Sequence, residues 1–262
     1  MKKTGILLIT VVLLLLVPAQ SRAMLEIAVG AWDQNIQGDL YYNLYNTAPD
    51  QVDMERDLDL EDDIRGVGYL KLELPVLPSL YLGITPMEFT GSGQRDRPFI
   101  FGDYTFLADR PLKSRVRLNH FDIGLYYSLS FPDMASMKNV KVDLGLNLRT
   151  AELDVSVTGA VAAAGGGEKL QRESEDYTLP LPMLYGAIQI TPVERISVEF
   201  EGRGVSLSSD HLISVLGKVK IRTGGALFFA VGYRYDDIRL DEDELNVDSN
   251  VRGLFCETGL EF

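Results

Sequence analysis

The chain has 262 residues, of which 46% are hydrophobic and 24% charged, and its 25 basic residues are outnumbered by 38 acidic ones, a net charge of −13. This acidic balance argues against a nucleic-acid-binding surface, because neutralising phosphates requires clustered Lys and Arg. A mean hydropathy near zero argues against a bundle of membrane helices, since each such helix needs about 20 mostly apolar residues.

Residues 1–23 have the pattern of a secretory signal peptide. Lys2 and Lys3 precede an apolar run from residue 6 to residue 17, and small side chains at residues 21 and 23 mark a cleavage point. A membrane anchor is the less favoured interpretation, because a span takes about 20 apolar residues. We therefore expect export through the inner membrane, and removal of this segment leaves 22 basic and 38 acidic groups, a net charge of −16.

The expected mature chain, residues 24–262, alternates apolar and polar residues with a period of two, which is typical of a β-sheet with one apolar face. From Val140 to Leu148 every even-numbered residue is apolar, while the odd-numbered residues are charged, Asn or Gly. In chain order the pattern predicts ten strands, at Leu25–Tyr42, Gly66–Leu74, Leu80–Phe89, Arg115–Ser130, Val140–Val157, Leu179–Thr191, Arg195–Leu207, His211–Arg222, Ala226–Leu240 and Val251–Phe262.

Two all-β architectures produce such alternation, a secreted β-sandwich and a transmembrane β-barrel. Sandwich strands are about 5–6 residues long, whereas several predicted strands persist for about ten residues or more, as membrane-crossing strands do. We therefore predict one domain, a closed antiparallel transmembrane β-barrel of about ten strands in the bacterial outer membrane. Residues Phe99–Phe106 form either a small hairpin in a loop or an extra strand pair, so eight and twelve strands are open alternatives.

The connections between predicted strands alternate between short and long, which predicts the orientation of the barrel. The short ones, expected on the periplasmic side, are residues 75–79, 132–138, 192–194 and 223–225. The long polar or Gly-rich ones, expected outside the cell, are residues 46–63, 91–114, 158–177 and 241–250.

A tight turn at residues 209–210 predicts a register for one hairpin. It places Glu201 opposite Lys218 and Glu199 opposite Lys220, with all four side chains facing the lumen. The next hairpin brings an arginine to the same face. We therefore hypothesise a lumen crossed by an ion-pair ladder of Glu199, Glu201, Lys218, Lys220 and Arg234.

Several short motifs, weak individually, occur in a specific order along nearly the whole expected mature chain. They are a Trp32-bearing first strand, the acidic stretch 58–63, Leu74-Pro75-Val76-Leu77-Pro78, Gly91-Ser92-Gly93, residues 101–106, 122–129 and 181–186, Gly232-Tyr233-Arg234 and the closing Gly259-Leu260-Glu261-Phe262. In this order the chain resembles a group of small predicted outer-membrane β-barrel proteins of unassigned function, known as "OMP with GlyGly". The resemblance implies the fold and the location, and it carries no catalytic residues. The C-terminal Phe262 also resembles the end of substrates of the outer-membrane barrel assembly machinery.

Residues suited to catalysis or metal binding are few, because the chain has only two histidines. His120 and Asp122 are two residues apart, which places both on one strand face near the outer end. They are candidates for the site of a rim hydrolase, but a rim histidine beside a lumen carboxylate is the favoured interpretation. We predict no catalytic residues, no metal site and no cofactor.

Three classes of function are compatible with this fold. We favour a structural or interaction role with a side-chain-filled lumen, since ten strands leave an interior only modestly wider than about eight do. The alternatives are a narrow channel or binding barrel for small solutes, and a rim enzyme that hydrolyses lipid or peptide. We expect outer-membrane lipid and lipopolysaccharide as partners, and the assembly machinery through Phe262. No nucleic acid is expected, and a monomer is favoured over an oligomer.

Overall fold

The computed structural model describes residues 23–42, 51–132, 139–207, 210–242 and 245–262. The predicted signal peptide lies outside this range except for Ala23. No helix in the described ranges is long and apolar enough to cross a membrane.

All regular secondary structure in these ranges is β. The strands are β1 (Met24–Tyr42), β2 (Val52–Asp53), β3 (Asp63–Glu73), β4 (Ser79–Thr85), β5 (Glu88–Gly91), β6 (Phe99–Phe101), β7 (Tyr104–Phe106), β8 (Lys113–Pro132), β9 (Asn139–Ala162), β10 (Glu168–Val193), β11 (Ile196–Leu207), β12 (Asp210–Arg222), β13 (Leu227–Glu242) and β14 (Leu245–Glu261).

Ten of these strands close into an antiparallel barrel, in the order β1, β3, β4, β8, β9, β10, β11, β12, β13, β14 and back to β1. The first and last strands pair from Glu26–Glu261 to Tyr42–Leu245, so that the ring has no open seam between them. β5 continues β4 along β8 after an interruption at residues 86–87. The predicted ten-strand closed barrel is therefore confirmed.

Two predicted outer loops are wrong in their extent. Residues 158–177 belong mostly to strands, because β9 and β10 pair without a break to Ala162–Glu168. Residues 241–250 also belong mostly to strands, because β13 and β14 pair to Glu242–Leu245. Apart from Leu170, residues 168–176 are polar on both faces, which hides their periodicity, but backbone pairing needs no apolar face. Residues 99–106 do form the small hairpin, β6–β7, within a loop, with Gly102 at a φ of 61°.

The interior has an apolar half and a charged half. At the end that carries the longer connections, here called the loop end, segments 51–60 and 86–112 fold inward and pack against the barrel wall. Together they bury an apolar cluster, here called the plug, that includes Trp32, Leu40, Val52, Met54, Leu58, Met87, Phe89, Phe99, Phe101, Phe106, Val155 and Val247. At the opposite end, the turn end, the inward side chains are mostly polar.

Candidate functional site in the barrel lumen

The hairpin of β11 and β12 brings the predicted ladder residues together, but in a different register. Paired residue numbers sum to 417, so Glu199 lies opposite Lys218. The predicted cross-strand pairs of Glu201 with Lys218 and of Glu199 with Lys220 are therefore wrong. The predicted turn at residues 209–210 is misplaced, because Asp210 already pairs with Leu207 as the first residue of β12, and this moves the pairing by two residues. Because side chains alternate with a period of two, all four still face the lumen.

Two buried lysines are bound by carboxylates from three strands. Lys218 Nζ lies 2.6 Å from Glu257 and 3.4 Å from Glu199. Lys220 Nζ lies 3.2 Å from Glu199 and 2.8 Å from Glu26. Glu199 thus bridges both lysines, and β14 and β1 supply the other two carboxylates.

Glu201 is held by a second set of donors. Its carboxylate lies 3.1 Å from Lys71 Nζ and 2.5 Å from Arg203, and it accepts a hydrogen bond of 3.1 Å from the Tyr185 hydroxyl. The Arg203 guanidinium lies 4.3 Å from the centroid of the Tyr81 ring, a cation–π geometry. Glu201 therefore links β3, β10 and β11 across the lumen.

Together these contacts form a layer that we call the charge layer, with five carboxylates and five cations. Its members are Glu26, Glu199, Glu201, Glu257, Glu261, Lys71, Arg203, Lys218, Lys220 and Arg222. Burying a charge is costly unless it is paired and hydrogen-bonded, and here the positive and negative charges balance. The layer obstructs the lumen near the turn end.

Arg234 faces the lumen, but its ion pair lies outside the charge layer. Its guanidinium donates two hydrogen bonds, of 3.0 and 2.8 Å, to Asp236 on the same strand, and a third of 3.0 Å to Thr85. It also stacks on Trp32 at 4.6 Å. The prediction that Arg234 belongs to the ladder is therefore wrong. β13 places Arg234 opposite Leu216, nearer the plug, where Asp236 is its carboxylate partner.

His120 and Asp122 share one strand face, as predicted, but the rim position is wrong. Both are buried, with 2% and 3% of their surface exposed, because they face the lumen and β8 continues beyond His120 to Lys113 towards the loop end. Asp122 accepts two hydrogen bonds from Arg149, of 2.9 and 3.0 Å, and one of 2.6 Å from Asn147. His120 Nδ1 lies 3.9 Å from Asp236. The two side chains thus bind separate partners.

Several lumen residues escaped the sequence analysis. Lys71 and Tyr69 lie on β3, and Tyr185 lies on β10, on strands whose alternation predicts the strand but carries no recognised polar motif. Tyr69 donates a hydrogen bond of 2.6 Å to Glu26 and accepts one of 3.0 Å from Lys218. An inward Tyr or Lys on alternate residues of a predicted strand is the signal that would have identified them.

A small cavity separates the charge layer from the plug. Its volume is about 40 Å³, room for roughly three water molecules. Trp32, Tyr81 and Phe255 line it together with Lys71 and Lys218. The buried Trp32 Nε1 has no hydrogen-bond partner among the described residues, which suits a site for water. Within the described ranges, no group of three or more His, Cys, Asp or Glu side chains is placed to hold a metal ion.

No protein-family model and no curated protein sequence matches the chain. Among solved structures, the translocator domain of autotransporter NalP from Neisseria meningitidis is 10% identical, with a TM-score of 0.44 and coverage of 99% of this chain and 94% of that one. Ail, the attachment invasion locus protein of Yersinia pestis, is 8% identical, with a TM-score of 0.28 and coverage of 92% and 100%. The P. putida toluene transporter TodX is 7% identical, with a TM-score of 0.32 and coverage of 93% and 90%. Similarity at this level assigns no family and no activity, and membership of the "OMP with GlyGly" group stays a prediction.

Proposed function

We propose that this protein is an integral β-barrel of the bacterial outer membrane with a structural or interaction role and a lumen filled by its own side chains. The outer wall of the barrel carries this proposal. On β8 the six outward side chains from Phe121 to Phe131 are all apolar or aromatic and are 38–58% exposed. Ten residues at about 3.4 Å each, tilted by about 40°, rise roughly 26 Å. That height matches the apolar band of membrane barrels, which is about 25 Å tall.

The apolar band continues around the barrel. Its exposed members on other strands include Ile27, Val29, Leu144, Leu146, Leu148, Leu184, Ile188, Phe200, Val215, Val219, Ile221, Phe229, Val231, Tyr233, Leu254 and Leu260. Monomeric soluble proteins rarely expose contiguous apolar patches larger than a few hundred Å². A wall of this kind is stable in lipid. Charged side chains facing the lipid would destabilise the barrel, and here the charged side chains point inward and are paired.

The filled lumen supports a structural or interaction role over a wide pore. The plug occupies the loop end and the charge layer occupies the turn end, so that a solute would have to cross both. The cavity beside Trp32 is the feature that favours the alternative, a narrow channel or binding barrel for small solutes. The partners in our proposal are outer-membrane lipid and lipopolysaccharide, together with the assembly machinery, which would meet the exposed Phe262 beside the paired ends of the barrel. The proposal includes no catalytic role.

Reconstitution tests the proposal. We expect the refolded chain to resist extraction from phospholipid vesicles by alkaline carbonate and to migrate differently on gels before and after boiling. Recovery in the aqueous fraction would contradict the membrane location.

Planar-bilayer recording then separates the two roles. We expect no discrete conductance steps from the wild type. Steps whose size changes in Lys218→Gln, with Arg110→Gln at an exposed position between β7 and β8 as the matched control, would replace the structural role by a channel.

A further inference from the structure

The barrel wall extends much further towards the loop end at the β9–β10 hairpin than at the neighbouring strand β11. β10 has 26 residues, whereas β11, its neighbour, has 12. Towards the loop end, the paired register of β10 with β11 extends to Leu184–Gly204. Residues Glu168–Asp176 therefore pair with β9 on one side, while no described strand pairs with their other side. We call this stretch the open edge; its nine residues extend about 30 Å.

Other raised parts of the wall are covered. β2 pairs with the outer part of β1 at Asp39–Asp53, and β7 pairs with β9 at Phe106–Val161. On β13, the Asp241 N–H donates to the Asp210 carboxylate at 2.8 Å. The open edge is distinct from these, because in the part of the chain that the structure describes nothing pairs with it in the same way.

Two prolines show which backbone groups point away from β9. Pro180 and Pro182 have no N–H, yet the register of β10 with β9 runs through both without a shift. In an antiparallel pair, alternate residues direct both N–H and C=O to the same neighbour. The backbone N–H and C=O groups of the even-numbered residues of β10 therefore point away from β9. In the open edge these residues are Glu168, Leu170, Arg172, Ser174 and Asp176.

Side-chain contacts hold the open edge in its extended form. The Tyr42 hydroxyl donates to Glu175 at 3.0 Å, and Lys169 Nζ lies 5.8 Å from the Tyr104 ring centroid. Arg110 binds both carboxylate oxygens of Glu168 at 2.9 and 2.6 Å. A preformed edge lowers the entropy that must be lost when a partner binds. One outward backbone group is engaged, since the Arg172 carbonyl accepts a hydrogen bond of 3.2 Å from the Gln171 side chain, and all five even-numbered residues are exposed.

We propose that the open edge binds an extended, basic segment of a partner protein, which would add as a further strand to the hairpin. The stretch contains four carboxylates and two cations, a net charge of −2: Glu168, Glu173, Glu175 and Asp176 against Lys169 and Arg172. It stays negative, at −1, when Arg110 bound to Glu168 is counted. Lys or Arg on the incoming strand would therefore be attracted to it. Leu170, 78% exposed, offers an apolar contact at one end.

A second copy of the chain fits less well than a basic segment. The inference rests on the proposed function, in which the loop end faces away from the cell. Two copies in one membrane then stand in the same orientation, so that their open edges meet as parallel strands. Like charges would lie beside each other, and such pairs are destabilising.

The test uses the full chain refolded in detergent micelles and a fluorescent nine-residue peptide of alternating Lys and Val as the probe. We expect the Lys–Val peptide to bind, measured by fluorescence anisotropy, and a Glu–Val peptide to bind at least tenfold more weakly. Ser174→Pro removes one outward N–H at a position equivalent to Pro180, so it should weaken binding at least tenfold. Ser174→Ala keeps the N–H and should bind like the wild type. Amide hydrogen exchange should slow in the open edge.

Three results would overturn the inference: no binding of the Lys–Val peptide, equal binding by Ser174→Pro, or exchange protection confined to other strands. A wild-type dimer that Ser174→Pro abolishes would assign the open edge to a second copy and overturn the basic partner. Binding in micelles does not depend on membrane insertion. A chain that inserts into vesicles but binds no peptide therefore refutes this inference alone, and a chain that fails to insert refutes the proposed function.

Discussion

Neutralising Asp122 tests whether buried ion pairs hold the barrel together. Asp122→Asn keeps the shape of the side chain but removes the carboxylate that accepts two hydrogen bonds from Arg149. Arg149 is fully buried, and its remaining hydrogen bond is to the Ser214 hydroxyl at 2.7 Å. The guanidinium charge would then be left in the lumen without its partner.

The expected loss in the free energy of unfolding follows from the burial of Arg149. Breaking a buried ion pair by removing one member costs about 3–5 kcal/mol, which corresponds to a roughly 10²- to 10⁴-fold change in the unfolding constant. Replacing both members with apolar residues of similar size avoids the uncompensated charge. The double variant Asp122→Leu/Arg149→Met should therefore lose less stability than Asp122→Leu or Arg149→Met alone.

Denaturant unfolding in micelles measures these differences. Trp32 is the only tryptophan and is fully buried in the plug beside the cavity, so its emission reports loss of the folded interior. Arg110→Ala, which removes an exposed ion pair with Glu168, is the control and should leave the midpoint unchanged. Equal midpoints for Asp122→Asn and the wild type, or a double variant as unstable as the sum of its singles, would refute this reasoning.

Four further substitutions, one of them a control, examine the wall, the plug and the prediction that the protein has no hydrolase activity. Leu146→Arg places a charge in the apolar band and should destabilise the inserted barrel by about 2–4 kcal/mol, measured by unfolding from vesicles, whereas Leu170→Arg beyond the band should change little. Arg95→Met removes a buried cation 3.2 Å from Asp57, and protease cleavage within the loop segments should accelerate about tenfold, equivalent to about 1.4 kcal/mol; an unchanged rate would mean that the pair does not hold the plug. Neither the wild type nor His120→Ala should hydrolyse lipid or peptide, and hydrolysis lost in the variant would restore the rim-enzyme interpretation.

Local alternation was sufficient to predict the barrel wall. On β9, apolar residues such as Leu144 and Leu146 point outward while Asp143 and Asn147 point inward, as a period of two requires. The same parity kept Glu201 and Lys218 in the lumen although the turn was misplaced. An error of one residue in a turn moves the register by two and leaves every side chain on its face.

The sequence by itself therefore determined the strands, their inward and outward faces and the closed antiparallel class, because these depend on residues that are neighbours along the chain. Which side chains contact one another in the lumen depended on the tertiary structure. Lys220 meets Glu26 across 194 residues of sequence, and the loops fold into the barrel to bury Phe99 and Phe101. Such contacts depend on strand register around the whole ring and on which loop reaches the interior, and periodicity carries no information about either. The open edge likewise arises only when strands of unequal length stand side by side.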